Sequence, residues 1–143
     1  SGVNAMIAVR DLLGLDTQIV GVIADAAPAT KLSFEAGEVV TTESADTFVD
    51  GVACRTPDAA AIAGIVGGAA RIISVDEDAV ADAMRAIYRT THSVAEPAGA
   101  IALAGLLSEP VGLRGRRSSF TLCGGNVDTD TFAAVLGGYT PAP

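Results

Sequence analysis

Ala70-Arg71-Ile72-Ile73-Ser74-Val75, followed at once by Asp76-Glu77-Asp78-Ala79-Val80, joins two apolar patterns of different period. The first six residues form a short, nearly continuous apolar run rich in β-branched side chains. This is the pattern of a strand covered on both faces in a parallel sheet. Beyond it Val80, Ala83, Met84, Ile87, Tyr88 and Thr91 recur at helical spacing, which predicts an amphipathic helix capped by Asp76. Its charges agree: Asp76, Glu77 and Asp78 stand at the positive end of the helix dipole, and Arg85, Arg89 and His92 toward the negative end.

The same alternation extends in both directions. Upstream, Ser1 to Arg10 opens directly into a helical pattern that Gly14 can end, and Ile19-Val20-Gly21-Val22-Ile23-Ala24 repeats the buried-strand signature. Pro28 leads a helix that stops near Gly37, Glu38-Val39-Val40-Thr41 reads as a short strand, and Pro57 to Ala69 reads as a helix ended by Gly67-Gly68. Downstream, Pro97 to Leu107 reads as a helix apolar nearly all round, and therefore buried. Ser119-Phe120-Thr121-Leu122-Cys123 reads as a strand, Gly124-Gly125-Asn126 as a tight turn, and Asp128 to Leu136 as a closing helix. Strand and helix alternate throughout, so the fold class is α/β with a largely parallel sheet and flanking helices.

Composition narrows the function classes. In 143 residues, half are apolar and 18% are charged, enough to bury a core in one domain. The uncharged, Gly- and Ala-rich stretches 59–70 and 97–108 fall short of the ~20 apolar residues that cross a bilayer. No basic, then apolar, leader pattern opens the sequence, so a soluble, cytoplasmic protein is expected. A net charge of −8 repels a phosphate backbone or an anionic membrane, which argues against nucleic-acid and membrane partners. Cys54 and Cys123 lack C-x-x-C spacing, so neither a disulfide framework nor a zinc site is expected.

Ligands of open α/β sheets gather beyond the carboxyl ends of strands, which makes Cys123-Gly124-Gly125-Asn126 the leading candidate site. The residues alone favour a plain Gly-Gly turn there. Glu96, just before a buried helix, stands between a cofactor contact and a helix-dipole charge, with the latter preferred. Asp50-Gly51 is preferred as a turn. His92, the one histidine, is more simply a helix C-cap than a metal ligand or general base.

Taken together, the order and spacing of these segments resemble the catalytic domain of fold-type II pyridoxal-phosphate enzymes, within them the serine/threonine dehydratase and serine racemase group. Ser1-Gly2 resembles the end of the family's glycine-rich phosphate loop. Thr47-Phe48-Val49-Asp50-Gly51 is similar to its T-x-A-D-G segment, with Val49 where Ala is usual. Glu96-Pro97-Ala98-Gly99-Ala100 matches its glutamate-proline segment, and Leu122-Cys123-Gly124-Gly125-Asn126-Val127-Asp128 its L-S-G-G-N-x-D strand end. The resemblance implies pyridoxal 5'-phosphate as cofactor. It places Ser1 and Gly2 at the phosphate, Glu96 beside the ring, Cys123 at the pyridine nitrogen where a serine is usual, and Gly124 close to the ring.

It further implies that residues 1–138 are the C-terminal part of a catalytic domain, with 139–143 a tail. The reaction implied is dehydration and deamination of a small hydroxy amino acid, L-threonine or L-serine, to a 2-oxo acid and ammonia. The family's Schiff-base lysine belongs to a front half that is a missing partner here, and the complete enzyme is expected to be a homo-oligomer. Lys31, the one lysine, lies outside any matching motif and is expected to be an exposed helical residue, so the chain alone is expected to be inactive. The cation site of some relatives would fall on Ile23, Ala27 and Ala29, which lack the carboxylates, so no metal is expected. The rival reading is a non-catalytic α/β module that binds a small ligand or a partner subunit.

Overall fold

The computed structural model describes residues 2–109 and 113–143. In chain order the elements are α1 (Gly2–Leu12), β1 (Val20–Ala24), α2 (Ala29–Ala36), α3 (Ala59–Gly68), β2 (Arg71–Val75), α4 (Glu77–Thr91), α5 (Pro97–Ser108) and α6 (Thr129–Leu136), with a 3-10 turn over Asp50–Val52. β1 and β2 pair in parallel, Val20 opposite Arg71 and Ala24 opposite Val75. Ala70 N–H donates to the Ile19 carbonyl at 2.8 Å and Asp25 N–H to the Val75 carbonyl at 2.9 Å, which carries the bonding past both ends of the ladder.

Strand alternation sorts the side chains into two cores. Ile23 and Ile72 face α2 and α3, where they pack with Ile62, Ile65, Val3 and Phe34. Val22, Ala24 and Val75 face the opposite way, into a larger core with Val80, Met84 and Ile87 of α4, Ile101 and Ala104 of α5, and Val135 of α6. The sheet is thus covered on both sides, as the apolar runs require. α5 lies directly on it through Gly105, where an added Cβ would come within 2.6 Å of Val22 Cγ2 and 3.0 Å of Ile73 Cδ1.

Local chemistry sets most helix ends. The Asp76 carboxylate accepts from Ala79 N–H at 2.7 Å, and Asp58 caps α3 through Ala61 N–H at 2.8 Å. Gly37 ends α2 at φ 75°, and His92 ends α4 at φ 57° with Nδ1 3.2 Å from the Tyr88 carbonyl, the cap expected of it. Arginines close two further helices: Arg10 donates to the Gly68 carbonyl at 2.9 Å, and Arg85 to that of Val135 at 2.9 Å. The Tyr88 and Phe132 rings stand nearly perpendicular with centroids 5.5 Å apart, joining α4 to α6.

The two additional strands expected from the sequence do not form among the described residues. Over 38–41, Val40 N–H bonds the buried Ser33 hydroxyl at 2.9 Å, so this backbone is captured by α2 and not by a neighbouring strand. The stretch 119–123 runs without a ladder partner, and Phe120 and Leu122 stay 40% exposed. Its end attaches to α5, described below. The tail is also held at one point, by the Thr140 hydroxyl on Asp78. No helix is long and apolar enough to cross a membrane among the described residues.

Met84 is fully buried where α4 packs into the larger core. Met84→Ala is therefore expected to lower unfolding free energy by about 2–5 kcal/mol in urea titration. The Arg71–Glu109 ion pair ties the entrance of β2 to the end of α5. Its hydrogen bond holds the Glu109 carboxyl below its usual range. A lowered carboxylate pKa contributes stability above the unfolded value of about 4.3 and loses it as pH falls through the folded value. Glu109→Gln is expected to cost at most ~0.5 kcal/mol at neutral pH, as for a solvent-screened pair, and the gap to the parent should close on acidification.

Candidate active site

The N-terminal end of α5 gathers three of the residues singled out from the sequence. Glu96 occupies the N-cap position in extended conformation, φ −71° and ψ 163°, and Pro97 supplies the first helical residue. The side chain of Glu96 makes no capping bond to its own helix. It reaches across to the stretch that follows Leu122, where Oε2 accepts from Asn126 N–H at 3.1 Å. In return Glu96 N–H donates to the Gly124 carbonyl at 3.1 Å. One residue before Gly124, the Cys123 thiol lies 3.7 Å from the Ala98 carbonyl, in the first turn of the same helix.

The glycines here serve contact between two segments of the protein. A Cβ on Gly124 would overlap Glu96 Oε1, one on Gly125 would lie 2.7 Å from the Val94 carbonyl oxygen, and one on Gly99 would lie 2.5 Å from the Gly124 oxygen. The family resemblance implies room for a ring over Gly124. In the structure, that space is the place of the Glu96 carboxylate. The dipole reading of Glu96 is likewise insufficient, because the carboxylate is engaged with a backbone amide thirty residues away.

The Cys123 thiol is exposed and free, and Cys54 is free and half-buried. An S–H is a weak donor, and the Ala98 carbonyl gives it only a long bond, so an acceptor in the space beside it could compete for that proton. The Cys123 thiol, the Glu96 carboxylate and the Gly124 backbone thus meet at the start of α5.

The other sequence candidates lie elsewhere. Gly2 is exposed at the first turn of α1, in the layer of α2 and α3, and no hydrogen bond among the described residues joins it to the Glu96–Gly124 group. Ser1 lies outside the described residues. Lys31 is half-buried, and not exposed as its helical position suggests, with Nζ donating to the Ser74 hydroxyl at 3.3 Å. Ser74 alternates with Ile73 and Val75, so it faces α2, on the side of the sheet opposite to α5. Ile23, Ala27 and Ala29 are buried apolar side chains. Asp50 and Gly51 form the expected tight turn, closed by Ala53 N–H on the Asp50 carbonyl at 3.0 Å. The Asn126 amide and the Ala98 carbonyl are not foreseen from sequence. Both are backbone groups, and only the pair of glycines hints that chain segments meet there.

Both the sequence and the fold have counterparts among known proteins. A profile of the family described as pyridoxal-phosphate dependent enzyme covers residues 2–124. The biosynthetic L-threonine dehydratase of Mycobacterium tuberculosis is 33% identical over 141 residues, 95% of this chain, and the chain spans 31% of that relative's length. Among solved structures, the T.th. threonine deaminase superposes with a TM-score of 0.79 at 28% identity, over 88% of this chain and 46% of that one. The processed form of threonine deaminase isoform 2 from Solanum lycopersicum superposes at 0.85 and shares the fold at 23% identity, over 94% and 40%. The chain belongs to the family of pyridoxal-phosphate-dependent enzymes, of fold type II.

Proposed function

We propose that this chain is the C-terminal part of a pyridoxal-phosphate-dependent ammonia-lyase that converts L-threonine or L-serine to a 2-oxo acid and ammonia. The observation that carries the reading is the convergence of the Cys123 thiol, the Glu96 carboxylate and the Gly124 backbone at the start of α5. When bound, pyridoxal phosphate supplies the electron withdrawal that loosens the Cα proton of an amino acid. The residues of this chain bind and orient. Cys123 offers its S–H to the ring nitrogen without charging it, Glu96 and Gly124 border the ring, and Ser1-Gly2 contribute the last amides of the phosphate site. Residues 1–138 make up this part of the catalytic domain, and 139–143 follow as a tail.

Lysine chemistry must come from the missing front half. Capture of the cofactor aldehyde requires an amine beside the ring, and Lys31, on α2, reaches Ser74 on the face of the sheet opposite to α5. The complete enzyme is proposed to act in the cytoplasm as a homo-oligomer.

The chain mixed with pyridoxal phosphate and L-threonine or L-serine is expected to release no ammonia, with Lys31→Ala indistinguishable from the parent. Ammonia release is expected to appear when a front-half polypeptide carrying the lysine motif is supplied. Turnover by the chain alone that vanished in Lys31→Ala would overturn the assignment, and no gain with a front half would favour the non-catalytic module. In the reconstituted enzyme, Cys123→Ser is expected to retain cofactor binding and elimination. Cys123→Leu is expected to raise the cofactor Kd by about tenfold or more in an absorbance titration, equivalent to ~1.4 kcal/mol.

A further inference from the structure

We propose that Thr47 and Glu77 are positioning residues for the candidate active site: their hydrogen bond holds the 47–52 turn against Ala98, and so sets where Cys123 and the Gly124–Asn126 backbone stand. The inference rests on the proposed function only for its meaning in catalysis. The geometry behind it is independent of any cofactor.

Thr47 is almost fully buried, and its hydroxyl is used twice. It donates to Glu77 Oε1 at 2.5 Å and accepts from Val49 N–H at 3.1 Å. The second oxygen of Glu77 is buried without a hydrogen-bond partner among the described residues. A carboxylate so placed has a large stake in its single bond, because loss of the Thr47 hydroxyl would leave both of its oxygens and the Val49 amide without partners. Glu77 lies at the start of α4, where the sequence pattern assigns it no more than a charge favourable to the helix dipole.

The bond fixes a wedge. Val49, two residues on, is fully buried in the larger core, and Phe48 and Val52 pack against that core with Ala98. Gly51 comes so close to α5 that an added Cβ would lie 2.7 Å from Ala98 Cβ. The Ala98 carbonyl is in turn the acceptor for the Cys123 thiol, and Glu96, two residues before it, holds Gly124 and Asn126. A continuous path of contacts therefore runs from α4 through the turn to the ring-binding edge.

The test is amide hydrogen exchange by NMR on the full chain, without cofactor. The reporters are Asn126 and Glu96, whose N–H groups make the bonds that join the two segments. Ala69 N–H, bonded to the Ile65 carbonyl in the opposite layer, is the internal reference. Thr47→Val removes the hydroxyl at nearly constant shape. Exchange at Asn126 and Glu96 is expected to quicken about tenfold relative to Ala69, the scale of one lost hydrogen bond. Thr47→Ser, which restores the hydroxyl, is expected to bring it back to the parent rate. Should Thr47→Val fail to fold, Glu77→Ala gives the same comparison, with the same expected result. Exchange that changed equally at all three amides, or only at Val49, would overturn the proposal, as would a Thr47→Ser chain that behaved like Thr47→Val. Because no cofactor is present, a negative result here is separate from failure to reconstitute ammonia release.

Discussion

The parallel pairing of β1 with β2 is the constraint from which the remaining structure follows. Five residues of each strand bond in register, and both faces of the pair are apolar. A parallel pair needs a crossover connection, and apolar side chains on two faces need two covers. α2 and α3 lie within that crossover and cover one face, α2 with Phe34 and α3 with Ile62 and Ile65. α4 and α5, which follow β2, supply the other cover, and the absence of a side chain at Gly105 lets α5 approach the strands closely.

α5 consequently has two duties at its two ends. Its C-terminal half meets the strands through the buried Ala104 and Gly105, and Glu109 ties the end of the helix to Arg71 at the entrance of β2. Its N-terminal end is a junction where three chain segments meet: the turn at Asp50–Val52, the helix start itself, and the stretch from Cys123 to Asn126. A site built there inherits the rigidity of a helix anchored on a sheet. Glu96 illustrates the economy of the junction, since its amide and its carboxylate each bond the same incoming segment.

Most of the secondary structure was legible because each element carries its own period and its own ends. Asp76 before the α4 pattern, Pro97 at the start of α5 and Gly37 after α2 are local signals read without knowledge of neighbours. The expected strands at 38–41 and 119–123 show the boundary of that method. Both have strand-like residues, but a strand is defined by its partner. Ser33 took the Val40 amide, and α5 took the backbone groups of Gly124 and Asn126.

By itself the sequence determined the fold class, the helix boundaries and the family, because apolar period, capping residues and the spacing of short motifs are properties of neighbouring positions along the chain. It also singled out Glu96, Cys123 and Gly124 before any contact among them was known. Only the tertiary structure decided what those residues touch. Thirty residues separate the Glu96 carboxylate from the Asn126 amide, thirty separate the Thr47 hydroxyl from Glu77, and the lone lysine proves to be directed across the sheet from α5. Pairings at such separation leave no periodic trace in sequence. They arise from which helix covers which face of the sheet, and from the space left where a glycine has no Cβ.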